Sequence, residues 1–313
     1  MDHPPDPAPA PAAPPRRKAR WRRPAALLLR VAVVAYLGVA AVLFAFQERM
    51  IFPGAETRGR ADAIVEPRPG TELVTLTTAR GDRVVALFGP ALTDDGRPRD
   101  DAATRPTILF FYGNAMCLAA ATDLFEDFRR LGANVLIPDY VGYGMSSGKP
   151  GEIGCREAAD AAFAHLAARP DVDRARIIAA GWSLGGAVAL DLAARHRVAG
   201  VATFSAFTRM ADMARRMFPI LPASLLLRHR FDNLARIAEV GCPVLIGHGR
   251  RDQIIPYEMS DRLAAAARTP VARIAVDAAD HNDFFWVGGD AVLDALRRFA
   301  ESPAGSPQAA PRS

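Results

Sequence analysis

"GWSLGG", Gly181–Gly186, is the stretch on which the reading of this chain turns. The apolar run "RIIAAGW", Arg176–Trp182, precedes the serine, and the alanine-rich "AVALDLAAR", Ala187–Arg195, follows it. The pattern predicts a strand, a sharp turn and a helix, with the Ser183 hydroxyl raised at the top of a sheet. Glycines flank the serine because a Cβ at those positions would collide with the adjoining strand and helix. A serine so placed is a candidate nucleophile. The chain must then supply a carboxylate and an imidazole later in sequence, in the order Ser, Asp/Glu, His.

Both partners are found at predicted strand ends. "CPVLIGHG" is followed by "RRDQIIP", which puts Asp252 in the next loop, and "VARIAVD" is followed by "AADHNDFFW", which puts His281 in another. A serine hydroxyl is almost unionised at neutral pH, so an imidazole must take its proton as it attacks. The carboxylate holds that imidazole in the right tautomer and stabilises the imidazolium. Of six histidines, His3 lies in a Pro/Ala-rich leader, and His165, His196 and His229 sit in helical patterns. His248 also stands at a strand end, but it precedes Asp252, against the expected order, so His281 is the candidate base. Asp280 and Asp283 adjoin His281 and are expected to shape its loop. The oxyanion donors are expected to be the backbone N–H groups of Leu184 and of Asn114, in the loop after "TILFFYG".

Outward from these motifs the chain alternates short apolar runs with helical stretches. "TILFFYG", "ANVLIPDY", "RIIAAGW", "VAGVATFS", "CPVLIGHG" and "VARIAVD" are the strand candidates. Such alternation predicts an α/β fold with a mostly parallel sheet and helices on both faces. "TELVTLTTARGDRVVALFGP", residues 71–90, adds an antiparallel hairpin turning at Arg80–Asp82. Phe207 to Val240 is read as a short helical cap rich in large apolar residues. Most of those are expected to pack on the sheet, and some to form an adaptable apolar wall beside the acyl site.

The net charge of +5 resides mainly at the N-terminus. Residues 1–23 carry six basic groups against two acidic ones and are expected to form a disordered basic tail; the rest of the chain is left at +1. The high isoelectric point therefore gives no argument for nucleic-acid binding by the domain. "PAALLLRVAVVAYLGVAAVLFAF", residues 24–46, is long and apolar enough for a transmembrane helix. It runs into Gln47, Glu48 and Arg49 without a small-x-small cleavage site, which favours an uncleaved anchor over a signal peptide. Basic residues before it place the N-terminus in the cytoplasm and the following domain, residues 48–301, on the outer face, periplasmic or extracellular. Residues 302–313 are expected to be a flexible tail. Three cysteines, Cys117, Cys155 and Cys242, are too few for a disulfide framework and are read as core residues.

With these motifs assembled, the chain resembles the α/β-hydrolase superfamily. More narrowly, it is similar to a branch of membrane-anchored serine hydrolases with depalmitoylase-like and lysophospholipase-like members. The resemblance rests on "YGNA", Tyr112–Ala115; "GYGMSSGKPGE", Gly142–Glu152; "GWSLGG"; "FDNLARI", Phe231–Ile237; and "HND", His281–Asp283. It spans roughly residues 48–300. One departure is Tyr112, where the branch has histidine. The resemblance implies a serine hydrolase cleaving an ester or thioester of a small-molecule or lipid-like acyl substrate, through an acyl-enzyme. Two alternatives stay open: amide or peptide hydrolysis by the same triad, and a non-catalytic, membrane-tethered binding protein on the same fold. No phosphate-cradling or dinucleotide motif is formed, since Tyr143 and Pro150 spoil the one near-match, and no residue cluster has metal-ligand spacing. Neither cofactor nor metal is expected. The Ala/Arg-rich usage points to a bacterial source.

Overall fold

The computed structural model describes residues 22–302, and of Arg22 and Arg23 the backbone only. The tails assigned to residues 1–23 and 302–313 therefore lie outside the described residues, except for Arg22, Arg23 and Ser302. Arg22 and Arg23 already belong to a helix. That helix, α1 (Arg22–Ile51), is long and apolar enough to cross a membrane. Its Leu27, Leu28 and Val34 are all exposed. Apolar side chains exposed in this way are costly in water and favourable in a bilayer. The chain divides into two compact units, Met1–Ala45 and Phe46–Ser313.

The second unit is built on β1 (Glu72–Thr77), β2 (Arg83–Gly89), β3 (Thr107–Phe111), α2 (Thr122–Arg130), β4 (Asn134–Pro138), α3 (Glu152–Ala168), β5 (Ile177–Trp182), α4 (Leu184–Arg195) and β6 (Gly200–Phe204). The cap helices α5 (Met210–Met217), α6 (Ala223–Leu226) and α7 (Asn233–Glu239) follow, then β7 (Val244–Gly249), α8 (Glu258–Ala266), β8 (Val271–Val276) and α9 (Phe284–Glu301, broken at Gly289). All six strand candidates and the hairpin are present. The eight strands run in the order β1-β2-β4-β3-β5-β6-β7-β8. β2 is antiparallel to both neighbours, and every other pairing is parallel.

Every residue of β3, β4 and β6 is buried. Strands covered on both faces have no polar side to alternate, which is why they read as continuous apolar runs. α3, α4, α7 and α8 touch in succession along one layer. α2 and α9 meet in the other, where Phe128 packs against Phe285 and Phe110. Strand order reverses between β3 and β5, with Phe111 paired to Gly181. Loops leaving two such neighbours diverge, and the crevice they open is where ligands bind in sheets of this kind. The Tyr112–Ala115 loop and Ser183 leave the sheet at that switch point.

Candidate active site

Ser183 has φ 55° and ψ −113°, a conformation that L residues rarely adopt and that costs about 1–3 kcal/mol. The flanking glycines make it attainable. A Cβ on Gly181 would lie 2.0 Å from Gly185 O, and one on Gly185 would lie 1.8 Å from Phe111 O. The elbow is thus wedged against β3, and its hydroxyl can point only outward from the strand end.

The structure brings the three sequence candidates together. His281 Nε2 is 3.0 Å from Ser183 Oγ, and His281 Nδ1 is 2.8 Å from Asp252 Oδ2. A carboxylate only accepts, so Nδ1 donates to Asp252, leaving Nε2 to accept from the serine hydroxyl. Oδ1 of Asp252 accepts from the N–H groups of Ile254 (3.0 Å) and Ile255 (2.7 Å). Burial alone would push the Asp252 carboxyl up. Hydrogen bonds from His248, His281 and Ile255 outweigh burial and hold it well below the usual carboxylate range. Asp280 shapes the loop as expected: its Oδ1 accepts from the N–H groups of His281 (2.7 Å) and Gln253 (2.9 Å), tying the two loops together. Asp283 in turn accepts from the Asp280 N–H. The Trp182 ring lies 5.6 Å from that of His281, tilted by 30°, and is itself backed by Phe285.

Leu184 opens α4, so its N–H has no carbonyl partner within the helix. The Asn114 side chain donates to Ile51 O, and its Oδ1 accepts from Tyr143 O–H and from the Ala115 N–H. Those bonds hold the loop through the side chain and leave the backbone N–H of Asn114 unused by them. A Cβ on Gly113 would come within 2.9 Å of the Trp182 ring, so only glycine lets this loop lie against the elbow.

Sequence reasoning missed Asp139, the residue that braces these loops. Its Oδ1 accepts from Tyr112 O–H (2.8 Å) and Leu118 N–H (2.7 Å), and its Oδ2 from Met145 N–H (2.9 Å). A Cβ on Gly144, at φ +47°, would fall 2.3 Å from Oδ2. One buried carboxylate thus fastens the loop after β3 to the "GYGMSSG" loop, and Tyr112 supplies polar bracing where the similar branch has histidine. Its own carbonyl accepts from Tyr140 O–H.

Burial pushes the Asp139 carboxyl up to about 6, against the opposing pull of its three donors. Its folded value then exceeds the unfolded one near 3.8. That contribution to stability is full below the unfolded value and is lost as pH rises through 6. Two units correspond to about 3 kcal/mol. The unfolding free energy of the wild type minus that of Asp139→Asn is expected to fall by roughly that amount between about pH 3 and 7 in urea titrations. A pH-independent difference would refute this.

The cap departs from expectation. None of its large apolar residues from Met210 to Leu227 is buried. Met210, Met213 and Leu227 pack partly against the core, whereas Met217 and Leu225 are 65% and 82% exposed. Helical spacing carries no information on whether a neighbouring element covers the stripe. The three cysteines are buried and free, as read.

This fold, with a serine elbow at the switch point, defines the hydrolase class, and comparison with known proteins agrees. The profile of the alpha/beta hydrolase fold family matches residues 106–226. An uncharacterized protein of Mycobacterium tuberculosis is 35% identical over 272 residues, covering 86% of this chain and 93% of that one. Alpha/beta hydrolase domain-containing protein 17B of Xenopus laevis is 31% identical, covering 71% of this chain and 72% of its own. Among solved structures, an esterase of Pyrococcus furiosus superposes with a TM-score of 0.61 at 18% identity, over 78% of this chain and 96% of its own. The chain belongs to the α/β-hydrolase family.

Proposed function

We propose that this protein is a serine hydrolase that cleaves an ester or thioester through an acyl-enzyme. The observation that carries the proposal is the relay Ser183–His281–Asp252, with contacts of 3.0 Å and 2.8 Å. Ser183 Oγ attacks the substrate carbonyl carbon while His281 Nε2 takes its proton, and Asp252 stabilises the resulting imidazolium. The N–H groups of Leu184 and Asn114 hold the developing oxyanion. As the tetrahedral intermediate collapses, its C–O or C–S bond breaks and the alcohol or thiol leaves with the proton from His281. Water, activated by the same imidazole, then attacks the acyl-serine and releases the acid. No cofactor takes part.

The preferred acyl group is of medium to long chain, lipid-like in character. Supporting this are the partly buried Met210, Met213 and Leu227 of the cap, adaptable apolar surface of the kind that lines acyl pockets. Burying one further CH2 stabilises binding by about 0.8 kcal/mol, roughly a fourfold change. Across p-nitrophenyl esters, kcat/KM is expected to rise at least ~10-fold from acetate to octanoate. A steady fall along the series would mean a small pocket and end the lipid-like assignment.

The α1 helix anchors the protein, with the N-terminus cytoplasmic and residues 48–301 on the outer face. The six basic residues between Arg16 and Arg23, and Arg30 as the one charge within residues 24–46 and near that end, support this orientation. A reporter that is active only after export, fused behind Ser313, is expected to be active. Signal from a cytoplasm-only reporter in its place would reverse the topology.

A further inference from the structure

His248 stands outside the serine relay yet touches its carboxylate. The ring is buried at the end of β7, with Nε2 2.8 Å from Ile255 O and 3.2 Å from Asp252 Oδ2. A carbonyl oxygen only accepts, so Nε2 carries a hydrogen. Nδ1 is buried with no hydrogen-bond partner among the described residues. A hydrogen on Nδ1 would be a buried donor without an acceptor, so the ring's hydrogen sits on Nε2. The ring's N–H is hydrogen-bonded to the Ile255 carbonyl, and the same nitrogen lies 3.2 Å from Asp252 Oδ2. Asp252 therefore accepts three N–H hydrogen bonds, from Ile254 and Ile255 on Oδ1 and from His281 on Oδ2, and has the polar N–H of His248 beside Oδ2 as well.

We propose that His248 is a positioning residue for the base. By donating to Oδ2 it holds that oxygen toward His281 Nδ1 and withdraws part of the negative charge that His281 would otherwise feel. The inference rests on the relay proposed above. Two imidazoles compete for one oxygen, so losing one donor leaves the other facing a fuller charge, and the His281 imidazolium becomes easier to form. Tyr257 faces the His248 ring edge-on, with Arg250 and Arg273 over its own ring and Asp261 paired to Arg273. Asp280 and Asp283 hold the His281 backbone. None of these groups changes in the variants below, so a shift can be assigned to the lost donor.

The test is the pH profile of kcat/KM for a p-nitrophenyl ester, measured on the full chain in detergent. In His248→Phe, which fills the space without a donor, the acid limb is expected to move up by about half a unit. kcat should drop about 10-fold at unchanged KM, because the ring never meets substrate. In His248→Gln an amide N–H can stand near the place of Nε2, and both the limb and kcat are expected to return toward wild type. A packing role would reverse that order, with phenylalanine tolerated and glutamine not. An unshifted limb in His248→Phe, or an equal shift in both variants, overturns the proposal. Should His248→Phe not fold, 15N spectra of the histidine rings in the wild type still decide the matter, with His248 assigned by its loss in His248→Gln. The expected result is a hydrogen on Nε2 of His248; a ring that carries it on Nδ1 instead also overturns the proposal. If the wild type turns over no ester at all, the hydrolase proposal fails, and the ring spectra still report separately on the His248 donor.

Discussion

Replacing Ser183 with alanine is expected to abolish labelling by a fluorophosphonate probe and to lower kcat by roughly 10⁴- to 10⁶-fold. The probe requires an oxygen nucleophile with a base in contact, and His281 Nε2 has Ser183 Oγ at 3.0 Å. Thiols offer no detour: all three cysteines are buried, and burial pushes the Cys155 and Cys242 thiols up. The fold should be indifferent to the change. Alanine meets the same backbone strain at φ 55° as serine does, and the lost hydrogen bond belongs to the relay rather than to the core. Thermal unfolding of the variant should therefore match the wild type. Ser183→Gly should instead unfold at higher temperature, because glycine relieves strain worth about 1–3 kcal/mol. Together these variants separate activity from stability. Labelling that persists in Ser183→Ala would remove Ser183 as the nucleophile.

The positions of Ser183, Asp252 and His281 were legible because strand ends are legible. Strands buried on both faces leave unbroken apolar runs such as "TILFF" and "VLIGHG", and the first loop residues after each run lie along one rim. The glycine pattern around Ser183 was legible for a steric reason that depends on neighbouring backbone alone. Asp139 was not legible. Its partners Tyr112, Leu118 and Met145 come from two different loops, and only the parallel pairing of β3 with β4 brings them together. His248 was set aside on chain order, a criterion that chooses a base but says nothing of a second ring on the same carboxylate. The cap was misjudged because 3.6-residue spacing shows which residues share a stripe, while burial depends on what packs over it. The extra signal for Asp139 was available in principle: a lone acid directly after an apolar run, at the carboxyl end of a strand, has to be satisfied by something.

Asp252→Asn is expected to lower kcat by about 10⁴-fold with little change in KM. The geometry gives two reasons, both tied to the fact that a carboxylate accepts and never donates. At Oδ2 it meets the Nδ1–H of His281, which leaves Nε2 free to take the serine proton. If an asparagine amide nitrogen occupies that position, it donates to Nδ1, moves the hydrogen to Nε2, and the base faces Ser183 with no lone pair. If the amide is turned the other way, its nitrogen faces the N–H groups of Ile254 and Ile255, leaving donor against donor in a buried loop. The first orientation keeps its hydrogen bonds but disables the base, and the second leaves buried donors unpaired, so the loss of rate is expected with a stability loss of no more than about 1–3 kcal/mol. Raising the pH should restore part of the activity, since hydroxide can take the serine proton directly. The rate should be followed from about pH 6 to 10 together with the unfolding midpoint. Activity in Asp252→Asn within tenfold of wild type at neutral pH would show that another group orients His281, and the relay as proposed would be wrong.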